Sequence, residues 1–371
     1  MDRNPLKITF IVANPDLSGG DRVVAEQARL MKQAGHTVQV IGVDTHQTSM
    51  RDYARALVRT RRLPEVYIRT DHFQNADIPI SVIKRPVGPR IEDVPDADVI
   101  IATWWQTAEW IAPLPDSKGA KMYFIQGFEP LYPSVRDPER VRATYSLDFH
   151  HIGVCQWLCD EVNAVSGRTG ADGCQLVENG IDLEVFSSPP REKNPVPTIG
   201  YLYTFAGFKN PSLALQSVEA LRARLPTVNF VSFGAHPEKA AFPLPEPTDF
   251  RLRPTPQGIC EAYAACDVWL LSSDHEGFGL PLLEAMACHT PVVATRAGAS
   301  PEIVTPQTGT LCEERSVEAF SSAIESVLAL SPEEWREMSK NARAMAERYN
   351  WERAGRAFED NLYATLERGQ R

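Results

Sequence analysis

Val268-Trp269-Leu270-Leu271-Ser272-Ser273-Asp274-His275-Glu276-Gly277-Phe278-Gly279-Leu280-Pro281-Leu282-Leu283-Glu284-Ala285-Met286-Ala287 is the stretch whose reading decides the fold. A short apolar run that ends in turn residues suits a strand buried on both faces. Pro281 fits the first turn of a helix, where its missing N–H costs nothing. The segment therefore reads as strand, glycine turn, helix. Amides at a helix start lack partners inside the helix and sit at the positive end of its dipole. That arrangement suits a diphosphate. Gly277 and Gly279 are expected to take positive φ and to let a ligand approach the backbone closely. Glu284, about a turn into the helix, can accept hydrogen bonds from two vicinal hydroxyls such as those of a ribose. Glu276, before the turn, can do the same for sugar hydroxyls. The plainer alternative is a tight strand–helix turn with Glu284 as an ordinary helix charge.

Outward from this segment, apolar runs alternate with helical patterns. The first half has strand patterns at 8–13, 37–43, 79–84, 98–103, 121–126 and 150–155, and the second half at 198–203, 229–234, 249–253, 268–273 and 291–295. Between them 20–34 and 211–225 carry apolar residues at helical spacing, and 316–330, 333–348 and 351–367 close the chain with long helical patterns. The alternation implies an α/β fold of two Rossmann-like, doubly wound parallel-sheet domains. Phe186–Pro197, with four prolines and no apolar period, reads as the linker. The expected division is 1–185, linker 186–197, 198–348, and a closing segment 349–371. Open sheets bind ligands beyond the carboxyl ends of their strands, so the chemistry is expected in a cleft between the domains.

The totals agree with two globular domains: 371 residues, 43% hydrophobic and 23% charged. A net charge of -10 argues against nucleic acid as a partner. Seven cysteines without a CxxC pair read as reduced thiols, with no metal site. The N-terminal stretch lacks a signal-peptide pattern and no apolar run is long enough to span a bilayer, so a cytoplasmic protein is expected.

Glu276-x7-Glu284, followed by Pro291-Val292-Val293-Ala294 and Pro301-Glu302-Ile303, resembles the signature of the retaining family 4 glycosyltransferases. Asn179-Gly180-Ile181-Asp182 resembles that family's Asn-Gly-Val-Asp motif. Gly19-Gly20 resembles its first-domain glycine loop, and Tyr349-Asn350-Trp351 the start of its last helix. The resemblance implies the GT-B fold, with the last helix packed back on the first domain. It implies a nucleotide-sugar donor bound by Gly19, Gly20, Lys209, Glu276, Gly277, Phe278, Gly279, Leu280 and Glu284. In that reading Glu284 takes the ribose and Glu276 the transferred sugar. Lys209 neutralises the leaving diphosphate, as a cation stabilises charge that develops when a bond breaks; the alternative is a solvated loop lysine. No metal and no further cofactor are expected.

The family's arginine after the first strand of the second domain has no counterpart, since Gly200 is followed by Tyr201-Leu202-Tyr203. Arg251 or Arg253 is the expected substitute. Where the family places a histidine, the chain has Gln126, in Phe124-Ile125-Gln126-Gly127-Phe128-Glu129. This stretch resembles a subgroup containing bacterial rhamnosyltransferases of surface-polysaccharide assembly, which suggests a dTDP-rhamnose donor. The expected acceptor is a glycan or lipid-linked saccharide. Gln126 and Glu129 are candidate contacts to the sugar or the acceptor, with Trp104 and Trp105 as stacking surfaces for the acceptor. Polar loop and core packing are the alternatives for these four. His150-His151, inside an apolar run, reads as a hydrogen-bonded core pair. Arg51, Arg55, Arg59, Arg61 and Arg62 form a basic run that reads as a solvated face or as peripheral contact with the inner face of a membrane.

The expected reaction is hexosyl transfer with retention of anomeric configuration. A nucleotide-sugar epimerase or phosphorylase of the same fold, and a non-catalytic carbohydrate-binding protein, are the rivals. A nicotinamide dehydrogenase is disfavoured because Leu17-Ser18-Gly19-Gly20-Asp21 lacks the G-x-G-x-x-G spacing.

Overall fold

The computed structural model describes residues 4–46 and 68–369. The basic run Arg51–Arg62 lies outside the described residues.

Two parallel sheets carry the chain. The first comprises β1 (Lys7–Ala13), β2 (Thr37–Asp44), β3 (Ile80–Lys84), β4 (Val99–Ala102), β5 (Ala120–Ile125), β6 (His150–Gly153) and β7 (Gln175–Leu176), in the order β3-β2-β1-β4-β5-β6-β7. The second comprises β8 (Thr198–Leu202), β9 (Asn229–Gly234), β10 (Asp249–Leu252), β11 (Val268–Leu271), β12 (Val292–Thr295) and β13 (Gly309–Cys312), in the order β10-β9-β8-β11-β12-β13. Both are doubly wound, so each has a switch point, between β1 and β4 and between β8 and β11. The buried runs behave as expected of central strands: Phe10 faces Val40 on one side and Ile101 on the other, and all three are fully buried. Two strands carry no apolar run, β7 and β13. Both lie at sheet edges, where one neighbour suffices and burial on both faces is not required.

Local signals set the helix boundaries. Ser18 caps the helix Gly19–Gln33, accepting from the Asp21 amide. Asn210, at φ 46°, caps Pro211–Arg222 through its side chain. Ser331 and Glu334 form a reciprocal capping box at the start of Pro332–Glu347. The helix Leu280–Ala287 is buried at Leu280 and from Leu282 to Ala287, as befits a helix wedged between layers.

The closing helix, Trp351–Gly369, packs on the first sheet. Phe358 stacks on Phe10 at 6.0 Å and meets Phe124 edge-on at 5.3 Å. His150 Nε2 pairs with Asn361 Oδ1 at 2.7 Å, and Arg168 reaches His151 Nδ1. Where the chain passes between domains, its outward and returning segments touch: the Ile181 amide donates to the Tyr349 carbonyl at 2.8 Å. A Cβ on Gly180 would lie 2.4 Å from the Trp351 nitrogen, so only glycine fits this crossing.

The proline-rich segment 186–197 is tied down rather than free. Arg191 lies over the Trp335 ring and bonds the Cys266 carbonyl, Lys193 donates to the carbonyls of Leu328 and Leu330, and the Asn194 amide bonds Asp267. Prolines here shape a strap along the second domain. Among the described residues no helix is long and apolar enough to cross a membrane.

Candidate functional site

The loops after β1, β4, β5, β8 and β11 converge on one cleft of about 660 Å³ between the two sheets. Its second-domain wall is the turn read first in the sequence. Gly279 has φ 100° and begins the helix, the left-handed backbone that favours glycine. Gly277 differs from expectation, since its φ is not positive. Its side-chain position is instead blocked: a Cβ there would lie 1.8 Å from the backbone oxygen of Gln126, in the other domain. Glycine at 277 thus serves close approach of the two domains. Among the described residues the amides of Gly277, Phe278 and Gly279 donate no hydrogen bond, which leaves them free to meet a ligand.

Glu276 and Glu284 are both 6% exposed, a burial that a charged carboxylate tolerates only with partners. Glu276 has two, which make three hydrogen bonds: Lys209 Nζ at 2.6 and 2.7 Å from its two oxygens, and the Ser273 hydroxyl at 2.7 Å. Lys209 stands in the loop after β8, so the ion pair spans the switch point of the second sheet. Glu284 accepts from the Tyr263 hydroxyl at 2.7 Å and from Arg22 Nη2 at 2.6 Å. Arg22 belongs to the first turns of Gly19–Gln33, beside Gly19 and Gly20, which also line the cleft.

Arg22 was not expected from the sequence, and Arg253 was. Arg253 does not line the cleft: it is exposed and its Nε donates to the Ala235 carbonyl at 2.8 Å. Arg251 pairs with Asp249. Both follow from topology, because β10 is the edge strand, two places from the switch point. The cation beside Lys209 in the cleft comes from the opposite domain. An arginine two residues behind a glycine pair after the first strand is the signal that could have found it.

On the first-domain wall, Gln126 lies against Gly20, and its side chain lines the cleft with Trp104 and Glu129. Trp104 stacks on Tyr132 at 5.7 Å with an interplanar angle of 9°, and Tyr132 meets Phe208 of the second domain at 5.4 Å. Trp105 turns away, lying 5.1 Å from the guanidinium of Arg140, and does not line the cleft. Consecutive residues at a strand–helix junction face different sides, and only the first of this pair faces inward. The Asp-x-Asp sequence Asp96-Ala97-Asp98 precedes β4, at the opposite end of that strand from the cleft. Its carboxylates bond Lys118 and the Lys7 amide.

Glu129 is 1% exposed. Its Oε2 accepts from the Trp105 amide at 2.8 Å and the Tyr123 hydroxyl at 3.1 Å, while Oε1 has no partner. Burial outweighs those hydrogen bonds and pushes its pKa up to about 8. The folded chain then holds a proton here that the unfolded chain releases near 4.5. The sign follows: stability is fully present below that value and declines as pH rises toward about 8. The decline attributable to this group is on the order of 4–5 kcal/mol. Glu129→Gln is expected to abolish it. Urea midpoints of the two proteins at pH 5 and pH 8 check this, and an equal difference at both pH values would mean that Glu129 is already ionised in the fold.

Two α/β domains of this topology, closed over a cleft at their switch points, define the GT-B fold. Solved structures of that fold superpose on nearly the whole chain. Anabaena HepE in complex with UDP matches with a TM-score of 0.74 at 16% identity, covering 96% of this chain and 99% of HepE. Sucrose-phosphate synthase from Thermosynechococcus elongatus matches with 0.70 at 20% identity, covering 98% and 99%. Residues 184–345 match the family model described as glycosyl transferases group 1. Among curated relatives, the D-inositol 3-phosphate glycosyltransferase of Saccharomonospora viridis is 31% identical over 214 residues, 51% of this chain and 49% of the relative. The GDP-mannose-dependent alpha-(1-6)-phosphatidylinositol dimannoside mannosyltransferase of Mycobacterium tuberculosis is 31% identical over 201 residues, 50% and 51% of the two chains. The chain spans about half the length of these curated relatives.

Proposed function

We propose that this protein is a glycosyltransferase that takes a sugar from a nucleoside-diphosphate sugar and passes it to a hydroxyl of a glycan or lipid-linked saccharide. One observation carries the reading: two buried carboxylates, Glu276 and Glu284, flank a turn whose amides are unpaired, and both carboxylates face cations in the same cleft. A nucleotide sugar has the complementary sequence of groups. Its ribose hydroxyls suit Glu284, its diphosphate suits the amides of Gly277 to Leu280 and Lys209, and its sugar hydroxyls suit Glu276. The family model over 184–345 supports the class of activity.

In the reaction, the bond between the sugar C1 and the diphosphate oxygen breaks while the acceptor oxygen bonds C1 on the same face. The departing diphosphate oxygen takes the acceptor proton, so configuration is retained without a protein base. Lys209 and the turn amides stabilise the negative charge that grows on the diphosphate. The resemblance of Phe124–Glu129 to the subgroup containing bacterial rhamnosyltransferases supports dTDP-rhamnose as donor and a role in polysaccharide assembly.

Calorimetry with UDP, GDP and dTDP, followed by turnover of the matching sugar donors with and without acceptor, tests the reading. An epimerase would act without acceptor. Glu284→Ala is expected to weaken the matched nucleoside and its diphosphate alike, by roughly ten- to a hundredfold, the value of lost charge-assisted hydrogen bonds. Unchanged binding and turnover in that variant would refute the site.

A further inference from the structure

We propose that Arg22 changes partners when the donor binds, leaving Glu284 for the diphosphate, and so acts as the second diphosphate cation supplied across the cleft. This deepens the nucleotide-sugar reading and rests on it. In the empty cleft the guanidinium of Arg22 is 2.6 Å from Glu284 Oε1, and the Tyr263 hydroxyl holds Oε2. Both oxygens that would receive ribose hydroxyls already have a donor. A ribose entering here shares these oxygens with the guanidinium, which weakens the hold of Glu284 on Arg22.

The geometry gives it somewhere to go. Arg22 follows Gly19 and Gly20 in the first turns of its helix, and all three line the same cleft as Gly277, Phe278 and Gly279, whose amides are free. The Arg22 side chain is 41% exposed, so it is not locked by packing. A planar guanidinium matches phosphate oxygens as well as it matches a carboxylate. The exchange leaves no charge without a hydrogen bond: Glu284 keeps Tyr263 and gains two hydroxyls, and Arg22 trades one anion for another. Among the described residues lining the cleft, the arginine and lysine side chains are Arg22 and Lys209 alone. A diphosphate carrying more than one negative charge calls on both. Because Arg22 and Glu284 sit on different domains, the same exchange ties nucleotide binding to the relation between domains.

The test separates nucleoside from diphosphate. Uridine, guanosine and thymidine, and their diphosphates, are titrated into wild type, Arg22→Ala and Arg22→Lys. Arg22→Ala is expected to weaken the matched diphosphate roughly ten- to a hundredfold. Its affinity for the matched nucleoside should hold or improve, because Glu284 has lost its competitor. Arg22→Lys, which keeps the charge without the fork, should fall between. Equal losses for nucleoside and diphosphate would reduce Arg22 to a structural partner of Glu284 and overturn the proposal, as would an unchanged diphosphate affinity. Should Arg22→Ala fail to fold, the lysine variant gives the same decision through its ratio of diphosphate to nucleoside loss. A wild-type chain that binds none of the diphosphates removes the nucleotide-sugar reading itself, which is a separate outcome.

Discussion

Gly277→Ala is expected to lower turnover of the matched donor by about a hundredfold or more while leaving both domains folded. The added methyl would sit 1.8 Å from the Gln126 backbone oxygen, and 3.5 Å from the Gly127 Cα. The obstruction is backbone, so no rotamer change relieves it. The φ at 277 is not positive, so the left-handed backbone that favours glycine is not what excludes alanine. The remaining response is for the two walls of the cleft to move apart by an ångström or more. That movement stretches the contacts that bridge them, among them Arg22 to Glu284 at 2.6 Å and Cys155 Sγ to the Gly277 carbonyl at 3.2 Å. A misplacement of about 1 Å in a catalytic geometry costs on the order of a hundredfold in rate. The strand ladders of the two sheets do not run through this contact, so the melting temperature should fall less than for a core substitution. Turnover measured beside thermal unfolding checks both halves. A variant with wild-type turnover would show that catalysis does not require this approach of the walls.

That prediction could not have come from the sequence, which marks Gly277 as a glycine but not why. Local signals were legible wherever the cause was local. Val268–Leu271 is a buried strand because its residues are apolar, and Gly279 takes positive φ because it ends a turn and starts a helix. The central strands of both sheets were visible for the same reason. β7, two residues long, and β13, Gly309-Thr310-Leu311-Cys312, were not, because edge strands need no continuous apolar run. What spacing cannot convey is which distant segments meet. Arg22 and Glu284 are 262 residues apart in the chain. Their pairing is a product of two switch points facing each other, and no local pattern encodes it. The same blindness misplaced Arg253, which follows the edge strand of its sheet. It also paired Trp105 with Trp104, although the chain turns between them. The linker shows the converse. Its prolines mark it as a linker, and its charged and polar residues, Arg191, Lys193 and Asn194, bind it to the second domain.

Lys209→Met should reduce kcat by about 10²–10³-fold, the usual cost of removing one group that stabilises developing negative charge. It should also destabilise the fold, and the two effects have separate causes. Lys209 holds both oxygens of Glu276, which is 6% exposed. Without it, that carboxylate keeps only the Ser273 hydroxyl, and a buried charge that loses its partner costs about 1–3 kcal/mol, taken at the low end because the lysine side chain is 30% exposed. Glu276→Gln added to Lys209→Met removes the stranded charge. The double variant should therefore recover most of the lost stability, since glutamine can still accept from Ser273. Turnover should not return, because no cation then faces the leaving diphosphate on that side and the sugar has lost its carboxylate. Urea unfolding and steady-state kinetics of the wild type, both single variants and the double variant close the cycle. If the double variant regained turnover along with stability, Lys209 would be a structural counter-ion for Glu276 and the charge on the departing diphosphate would have to be met by Arg22 and the turn amides alone.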